Sequence, residues 1–320
     1  MSRILLIKMS SLGDVVHNLP VATDIRRHRP DVIIDWVVEE QYVPLVRMHP
    51  AVDHVHPVSL RRWRGNVFSG THWREFGEFR RRLTAQAYEA IIDTQGLLKS
   101  ALVSKLAHGP VYGFGPATAR EPLASRFYDV RLEFPPAAHK ILRYRSVAAR
   151  ALGYAVPDAI DYGIRPAIAR PAFASGRYCV AFHATARTAK LWPEARWVEL
   201  IRRLDAAGVA CILPWGSGEE RARSERLAAA GSLCIVPPRM SIDEMAALIA
   251  DAQFVVGVDT GFMHLAAALA KPVVGIFCDS NPVDACPVGP GPTAHRGHIG
   301  RPPAVDEVAD ALREVAPGPL

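Results

Sequence analysis

Short runs rich in β-branched residues recur along this chain with amphipathic stretches between them, and that alternation restricts the fold more than any other feature. RILLIKM (3–9), VIIDWVV (32–38), DHVHPV (53–58), EAIIDT (89–94) and PVYGF (110–114) predict strands in the first half. YCVAFH (178–183), VACILPW (209–215), SLCIV (232–236), QFVVGV (253–258) and PVVGIF (272–277) predict strands in the second. VVHNLPVATDIRRHRP, FGEFRRRLTAQAY, PEARWVELIRRLDAAG, EERARSERLAAAG, SIDEMAALIADA and FMHLAAALAKP carry the i, i+3, i+4 apolar rhythm of helices that pack on a sheet. Apolar strands separated by helices are the mark of parallel sheets covered on both faces and joined by right-handed crossovers.

At 320 residues the chain exceeds what one core usually organises. Residues 161–176, rich in Pro, Gly and Ala and without periodicity, are expected to link a first domain over 1–160 to a second over 177–300. The tail 301–320 reads as a terminal helix (AVDEVADALREV) expected to pack back on the first domain. The fold class expected is α/β, with two Rossmann-like domains whose parallel sheets face a central cleft. In such sheets ligands bind outside the carboxyl ends of the strands, so the loops after strands are where chemistry should lie.

A composition of 49% hydrophobic and 22% charged residues excludes a disordered, collagenous or coiled-coil chain. No apolar run approaches the ~20 residues of a membrane span, and the N-terminus lacks the apolar stretch and cleavage site of a signal peptide. A cytoplasmic protein is expected. The five cysteines (Cys179, Cys211, Cys234, Cys278, Cys286) form no C-x-x-C pair, so they read as inert thiols in a reducing compartment. The net charge of +6 is unevenly spread: residues 1–150 hold 22 Lys and Arg against 14 Asp and Glu, whereas the remainder holds 16 against 18. A basic first half suits an anionic partner or is simply a solvated charged face. Stacking aromatics of an RNA platform and a helix-turn-helix pattern are both missing, so no nucleic-acid partner is expected.

Three loops hold the unusual residues. The first strand runs into KMSSLGDVVHNLP, with Lys8, Ser10, Ser11, Gly13 and Asp14 at the helix start, and this is neither a dinucleotide fingerprint nor a P-loop. Asp14 there is either a helix cap or a general base. After YCVAFH comes HATARTAKLWPEARW, where Thr185, Arg187, Thr188 and Lys190 precede a helix begun by Pro193; this is either a diphosphate cradle or a polar surface loop. The third strand end carries Asp259, Thr260 and Gly261, followed by His264 one turn into the next helix. Glycine there allows close backbone approach to an anion, and His264 is otherwise a buried, satisfied histidine. Neither a D-x-D pair nor H-x-x-x-H is present to supply a divalent metal, so a departing diphosphate would be neutralised by protein cations and helix termini.

With these motifs in hand, the chain resembles the lipopolysaccharide heptosyltransferases of glycosyltransferase family nine over nearly its whole length. KMSSLGDVVHNLP, DWVVEEQY, RRWR, IIDTQGLLKS, GFG, HATARTAKLWP, LPWGSGEE, PPRMS and GVDTGFMHLAAALAKP occur in the family's order. SSLGD with RRWR and DTQGLLKS point to the type I branch over type II. The resemblance implies a GT-B enzyme, inverting and independent of metal and cofactor. It would transfer L-glycero-D-manno-heptose from ADP-L-glycero-D-manno-heptose to the first Kdo of Kdo2-lipid A, in making the lipopolysaccharide inner core. A related activity with another core acceptor or nucleotide sugar is the alternative.

Residue by residue, the resemblance makes Asp14 the catalytic base and Lys190 the cation on the diphosphate. Ser10, Ser11, Gly13, Thr185, Thr260 and Gly261 stand beside them on the donor. Glu220 would hold the adenosine ribose, Met240 would lie by the adenine, and Asp259 and His264 would meet heptose and phosphate. Arg61, Arg62, Arg64, Arg120 and Arg143 would bind the anionic acceptor. Peripheral association with the anionic cytoplasmic face of the inner membrane is expected, since residues 61–82 interleave arginines with Trp63, Phe68, Trp73, Phe76 and Phe79. The same stretch also suits an ordinary loop and a core-packing helix. Two departures stand out: Ala186 occupies a position where the family has a second hydroxyl, and CDSNPVDACPVGPGPTAHRG replaces the family's G-P-T-D-P pattern.

Overall fold

A computed structural model describes residues 2–65, 68–135 and 139–318, apart from the side chains of Val283 and Asp284. The chain divides into two compact units, Met1–Ile164 and Arg165–Leu320, and the division falls inside the segment expected as a linker.

The first unit is built on six parallel strands: β1 (Arg3–Ile7), β2 (Ile33–Glu39), β3 (His54–Val58), β4 (Ala90–Asp93), β5 (Val111–Phe114) and β6 (Val130–Leu132). Their order is β3-β2-β1-β4-β5-β6, with Ile4 paired to Ile34 on one side and Ala90 on the other. The order reverses between β1 and β4, which makes the ends of those two strands the topological switch point where such sheets bind ligands. The helices are α1 (Leu12–His28), α2 (Val43–Arg47), α3 (Leu60–Gly65), α4 (Gly70–Thr84), α5 (Leu98–Ser104) and α6 (Lys140–Leu152). Leu5, Ile7, Val37 and Ile91 from the sheet pack with Phe79 and Leu83 of α4 and Ala101 of α5. Gly153 ends α6 in the left-handed region (φ +75°), its N–H bonded to Ala149 O at 2.9 Å. Gly113 has no room for a side chain, because a Cβ there would lie 2.4 Å from the Tyr128 ring.

The second unit has five parallel strands: β7 (Tyr178–Phe182), β8 (Ala210–Ile212), β9 (Val255–Val258), β10 (Val273–Ile276) and β11 (Thr293–Arg296), ordered β11-β10-β9-β7-β8. Its helices are α7 (Glu194–Ala206), α8 (Gly218–Ala228), α9 (Ile242–Asp251), α10 (Gly261–Ala268), α11 (Pro282–Ala285) and α12 (Val305–Val315). Trp192 and Trp197, edge to face at 5.2 Å, fill the core under α7.

Two expectations need correction. SLCIV is not a strand: Ile235 alone bridges to Ile212, because Pro237 and Pro238 supply no further N–H and Leu233 faces solvent. The helix read over residues 76–88 lies at Gly70–Thr84, capped by Ser69, and Tyr88 N–H bonds instead to His108 O at 2.8 Å. The terminal helix belongs to the core of the second unit, where Val305, Val308, Leu312 and Val315 of α12 are buried against α7, β10 and β11. An apolar face so wide has to be covered by the nearest open side of a sheet, and the β10–β11 edge provides it.

Candidate active site

In the first unit the chain leaves β1 as Lys8-Met9-Ser10 and turns into α1. Gln95, two residues past β4, clasps this turn: its Oε1 accepts from Met9 N–H at 3.0 Å and Ser10 N–H at 3.2 Å, and its Nε2 donates to Ser10 O at 2.7 Å. Lys99 Nζ reaches Ser10 Oγ at 3.3 Å. Asp14 is the third residue of α1. Its Oδ2 accepts from the Ser11 N–H and Oγ, both at 3.4 Å, and its Oδ1 accepts from the Tyr144 hydroxyl at 3.3 Å. Cap and base are therefore not exclusive: one oxygen faces the helix start while the other is held by a phenol from α6.

The electrostatics around Asp14 are lopsided. Burial pushes its carboxyl up, but Lys8, Lys140, the Ser11 N–H and Arg120 outweigh that and hold it below the ordinary value. Lys8 is 1% exposed; its Nζ donates to Thr94 O at 2.9 Å and lies 3.6 Å from the centre of the Tyr144 ring. Burial lowers the Lys8 ammonium to about 8, against the opposing pull of Asp14 and Asp93. The Tyr144 phenol is raised, by burial first and then by the Asp14 charge. Arg120 and Arg143 both act on Tyr144, and the buried Arg143 Nε has no hydrogen-bond partner. Gly13 occupies the position before Asp14, so Ser10, Ser11, Gly13, Asp14, Arg120 and Arg143 belong to one neighbourhood.

The arginine cluster is divided. Arg62 is committed to Glu40 (3.1 Å) and Glu75 (2.9 Å). Arg61 and Arg64 are exposed and line a cavity with Leu60, Phe76 and Lys99. The aromatic residues of 61–82 split in the same way. Trp63 donates to Glu75 at 2.8 Å, and Phe79 is fully buried. Phe68 and Trp73 are 94% and 60% exposed.

In the second unit the loops after β7, β9 and β10 converge on Asp259. Its Oδ2 takes Lys190 Nζ at 2.5 Å and Ser280 Oγ at 2.8 Å, while its backbone carbonyl accepts from Thr185 Oγ1 at 3.0 Å. Lys190 closes a 3₁₀ turn, Thr188–Lys190, ahead of α7. Thr260 occupies the N-cap position of α10, Gly261 opens that helix, and His264 is buried one turn in. Orphan N–H groups at such a helix start attract anions. Glu220, third in α8, is turned back on Gly216 N–H at 2.6 Å, and Met240 lies half-buried ahead of α9. Glu220 in the first turn of α8 and Met240 in the loop after Ile235 lie outside the hydrogen-bonded group around Asp259. Among the described residues, no group of three or more His, Cys, Asp or Glu side chains is arranged to hold a metal ion.

Gln95, Tyr144 and Ser280 are the side chains that residue patterns alone did not put forward as site residues, whereas Lys8 stood out with the first loop. Gln95 had a signal, its place in DTQGLLKS directly after a strand. Tyr144 had none, lying 130 residues from the carboxylate it binds.

The sequence profile of glycosyltransferase family 9 (heptosyltransferase) matches residues 76–311. Lipopolysaccharide heptosyltransferase 1 of Salmonella typhimurium is 44% identical over 283 residues, 88% of this chain and 89% of that protein. The structure of E. coli heptosyltransferase WaaC with ADP superposes with a TM-score of 0.92 at 40% identity, covering 98% of this chain and all of that one. The same enzyme with ADP-2-deoxy-2-fluoro heptose gives 0.86, with 98% of each chain covered.

Proposed function

The chain belongs to glycosyltransferase family 9, and from that membership we propose that it transfers L-glycero-D-manno-heptose from ADP-heptose to the first Kdo of Kdo2-lipid A, with inversion and without a metal ion. It is a glycosyltransferase of lipopolysaccharide inner-core synthesis with the two parallel-sheet α/β domains of the GT-B class. The acceptor, the residue roles and the membrane contact are our reading.

A sugar hydroxyl becomes a competent nucleophile as its proton is removed, and a positioned base contributes ~10²- to 10⁴-fold. Asp14 is that base. Its carboxylate takes the proton of the acceptor hydroxyl while the new C–O bond forms at the anomeric carbon and the bond to the diphosphate breaks. The charge that develops on departing ADP is met by Lys190 and the N–H groups that open α10. Arg61, Arg64, Arg120 and Arg143 receive the carboxylates and phosphates of the acceptor, for which the planar guanidinium is suited. Arg62 is assigned instead to the α3–α4 junction by its two carboxylate partners. Among the described residues no helix is long and apolar enough to cross a membrane. Exposed Phe68 and Trp73 beside Arg61 and Arg64 support peripheral contact with an anionic bilayer.

The observation that carries the reading is the Asp14 carboxylate at the sheet's switch point, held by the Tyr144 hydroxyl. Asp14→Asn is expected to lose ~10²-fold or more of transfer while binding ADP-heptose as the parent does. Full transfer by that variant overturns the base assignment, and activity lost to EDTA overturns the metal-free reading. Sedimentation with anionic vesicles tests the membrane contact, since an Arg61/Arg64→Ala variant that binds as well as the parent excludes this patch.

A further inference from the structure

In the turn after β10, Cys278–Asn281, Asp259 finds a second partner. Ser280 Oγ and Lys190 Nζ donate to the same carboxylate oxygen, at 2.8 and 2.5 Å. One residue earlier, Asp279 pairs with Arg187 at 2.6 Å, so the turn is tied to the loop after β7 as well. The Asp259 side chain retains only 13% of its exposure and that of Lys190 18%.

We propose that Ser280 is a positioning residue for the nucleotide-sugar donor: it holds Asp259 in place when Lys190 exchanges that carboxylate for the donor's diphosphate. The inference rests on the reading that Lys190 meets the diphosphate. Lysine is a compact point charge with three donors, and a diphosphate competes for it more strongly than one carboxylate does. When the ammonium turns away, a largely buried carboxylate loses its cation. A carboxylate left without partners in such a place is costly, and a hydroxyl already aimed at it limits the penalty. Thr185, bonded to the Asp259 backbone carbonyl, fixes the main chain but not the carboxylate. Ser280 is the neutral donor that stays.

Calorimetric titration of the intact protein with ADP tests this. Ser280→Ala is expected to weaken ADP binding about threefold to tenfold, the net worth of one ordinary hydrogen bond. It should raise the donor KM by the same factor with kcat nearly unchanged. Ser280→Thr, which keeps the hydroxyl, restores binding, and Ser280→Cys, a weaker donor of similar shape, falls between. The discriminating arm is the Asp259→Asn background, in which there is no charge to strand and Ser280→Ala has no further effect. Parental ADP affinity in Ser280→Ala, or a loss that persists in the Asp259→Asn background, overturns the proposal. Lys190→Ala separates the two layers. If it binds ADP as the parent does, the underlying reading fails; if it weakens binding while Ser280→Ala does not, the role of Ser280 alone fails.

Discussion

Replacing Arg145 by Met probes what holds α6, and with it Tyr144, against α1. The guanidinium donates to Asp24 through Nε at 2.6 Å and Nη2 at 3.2 Å, and Nη2 also reaches the carbonyls of Pro157 and Ala159, each at 2.8 Å. Both side chains are almost completely buried, 3% and 1% exposed. Methionine preserves length and apolar volume, so the loss is electrostatic. Residues 157–159 lie near the surface, and water can replace the guanidinium at their carbonyls. The Asp24 carboxylate has no such substitute. Leaving one partner of a buried pair unmatched costs ~3–5 kcal/mol. At roughly 2–4 °C per kcal/mol for a unit of this size, the transition of the first unit should fall by about 6–20 °C in scanning calorimetry. Adding Asp24→Leu removes the stranded charge and should bring stability back to within ~1–2 kcal/mol of the parent, because apolar replacements of buried pairs are often neutral. A single variant that loses less than ~1 kcal/mol, or a double variant no better than the single, refutes the view that the charge of Asp24 needs Arg145.

Further expectations concern the same neighbourhood. Tyr144→Phe keeps the ring beneath Lys8 but removes a donor from the Asp14 carboxylate, so the carboxyl should titrate at higher pH and the acid limb of the kcat/KM profile should move upward; an unmoved limb contradicts the hydrogen bond's role. Lys8 titrates at about 8 when folded, below its ordinary 10.5. The unfolded chain therefore holds this proton over that interval, and the cost of the buried charge, present below pH 8, is relieved as pH rises. Lys8→Met should flatten the gain in stability between pH 8 and 10, measured by urea unfolding against the parent. Arg62→Ala should leave the acceptor KM within about twofold, as loss of a solvent-exposed ion pair does, while loosening the α3–α4 junction, whereas Arg61→Ala and Arg64→Ala should each raise that KM. Equal effects of all three substitutions would remove the distinction drawn from the Glu40 and Glu75 pairs.

Where periodicity is strong, sequence and structure agree. RILLIKM, VIIDWVV and QFVVGV are buried on both faces, and continuous apolar character is what a central parallel strand requires. Edge strands lack it. The polar run TAHR at Thr293–Arg296, between Gly and Pro residues, reads as loop, and these residues pair only because β10 offers an open edge and α12 covers the result. SLCIV fails in the opposite sense, with β-favouring residues but prolines that end pairing after a single bridge. In α6 the apolar rhythm of KILRYRSVAARAL is broken by Arg145 and Tyr144, whose burial is explained by Asp24 and Asp14, far away in sequence. The site divides along the same line. A carboxylate or lysine in a loop after a strand is visible from local pattern, whereas the groups that tune it arrive from other elements through the fold.

The two units arrange charge in opposite ways, and each arrangement has a consequence for chemistry. In the second, a lysine rests on a carboxylate, so the diphosphate of the proposed reaction would replace an existing partner rather than meet a bare cation. In the first, a carboxylate sits among Lys8, Lys140 and Arg120, which keep it ionised at the expense of its basicity. A carboxyl held below its ordinary value is a weaker proton acceptor by itself, because basicity falls as pKa falls. The acceptor of the proposed reaction carries its own negative charge. An anion engaged by Arg120 or Lys140 cancels part of the field these cations exert at Asp14, and the carboxylate becomes more basic as the hydroxyl arrives. If Asp14 is the base proposed above, it is unprotonated while it waits and strongest when the substrate is bound. That coupling accounts for the excess of cations around Asp14 better than a requirement for acceptor affinity alone, since Lys8 is buried beneath Tyr144 with its ammonium on Thr94 O.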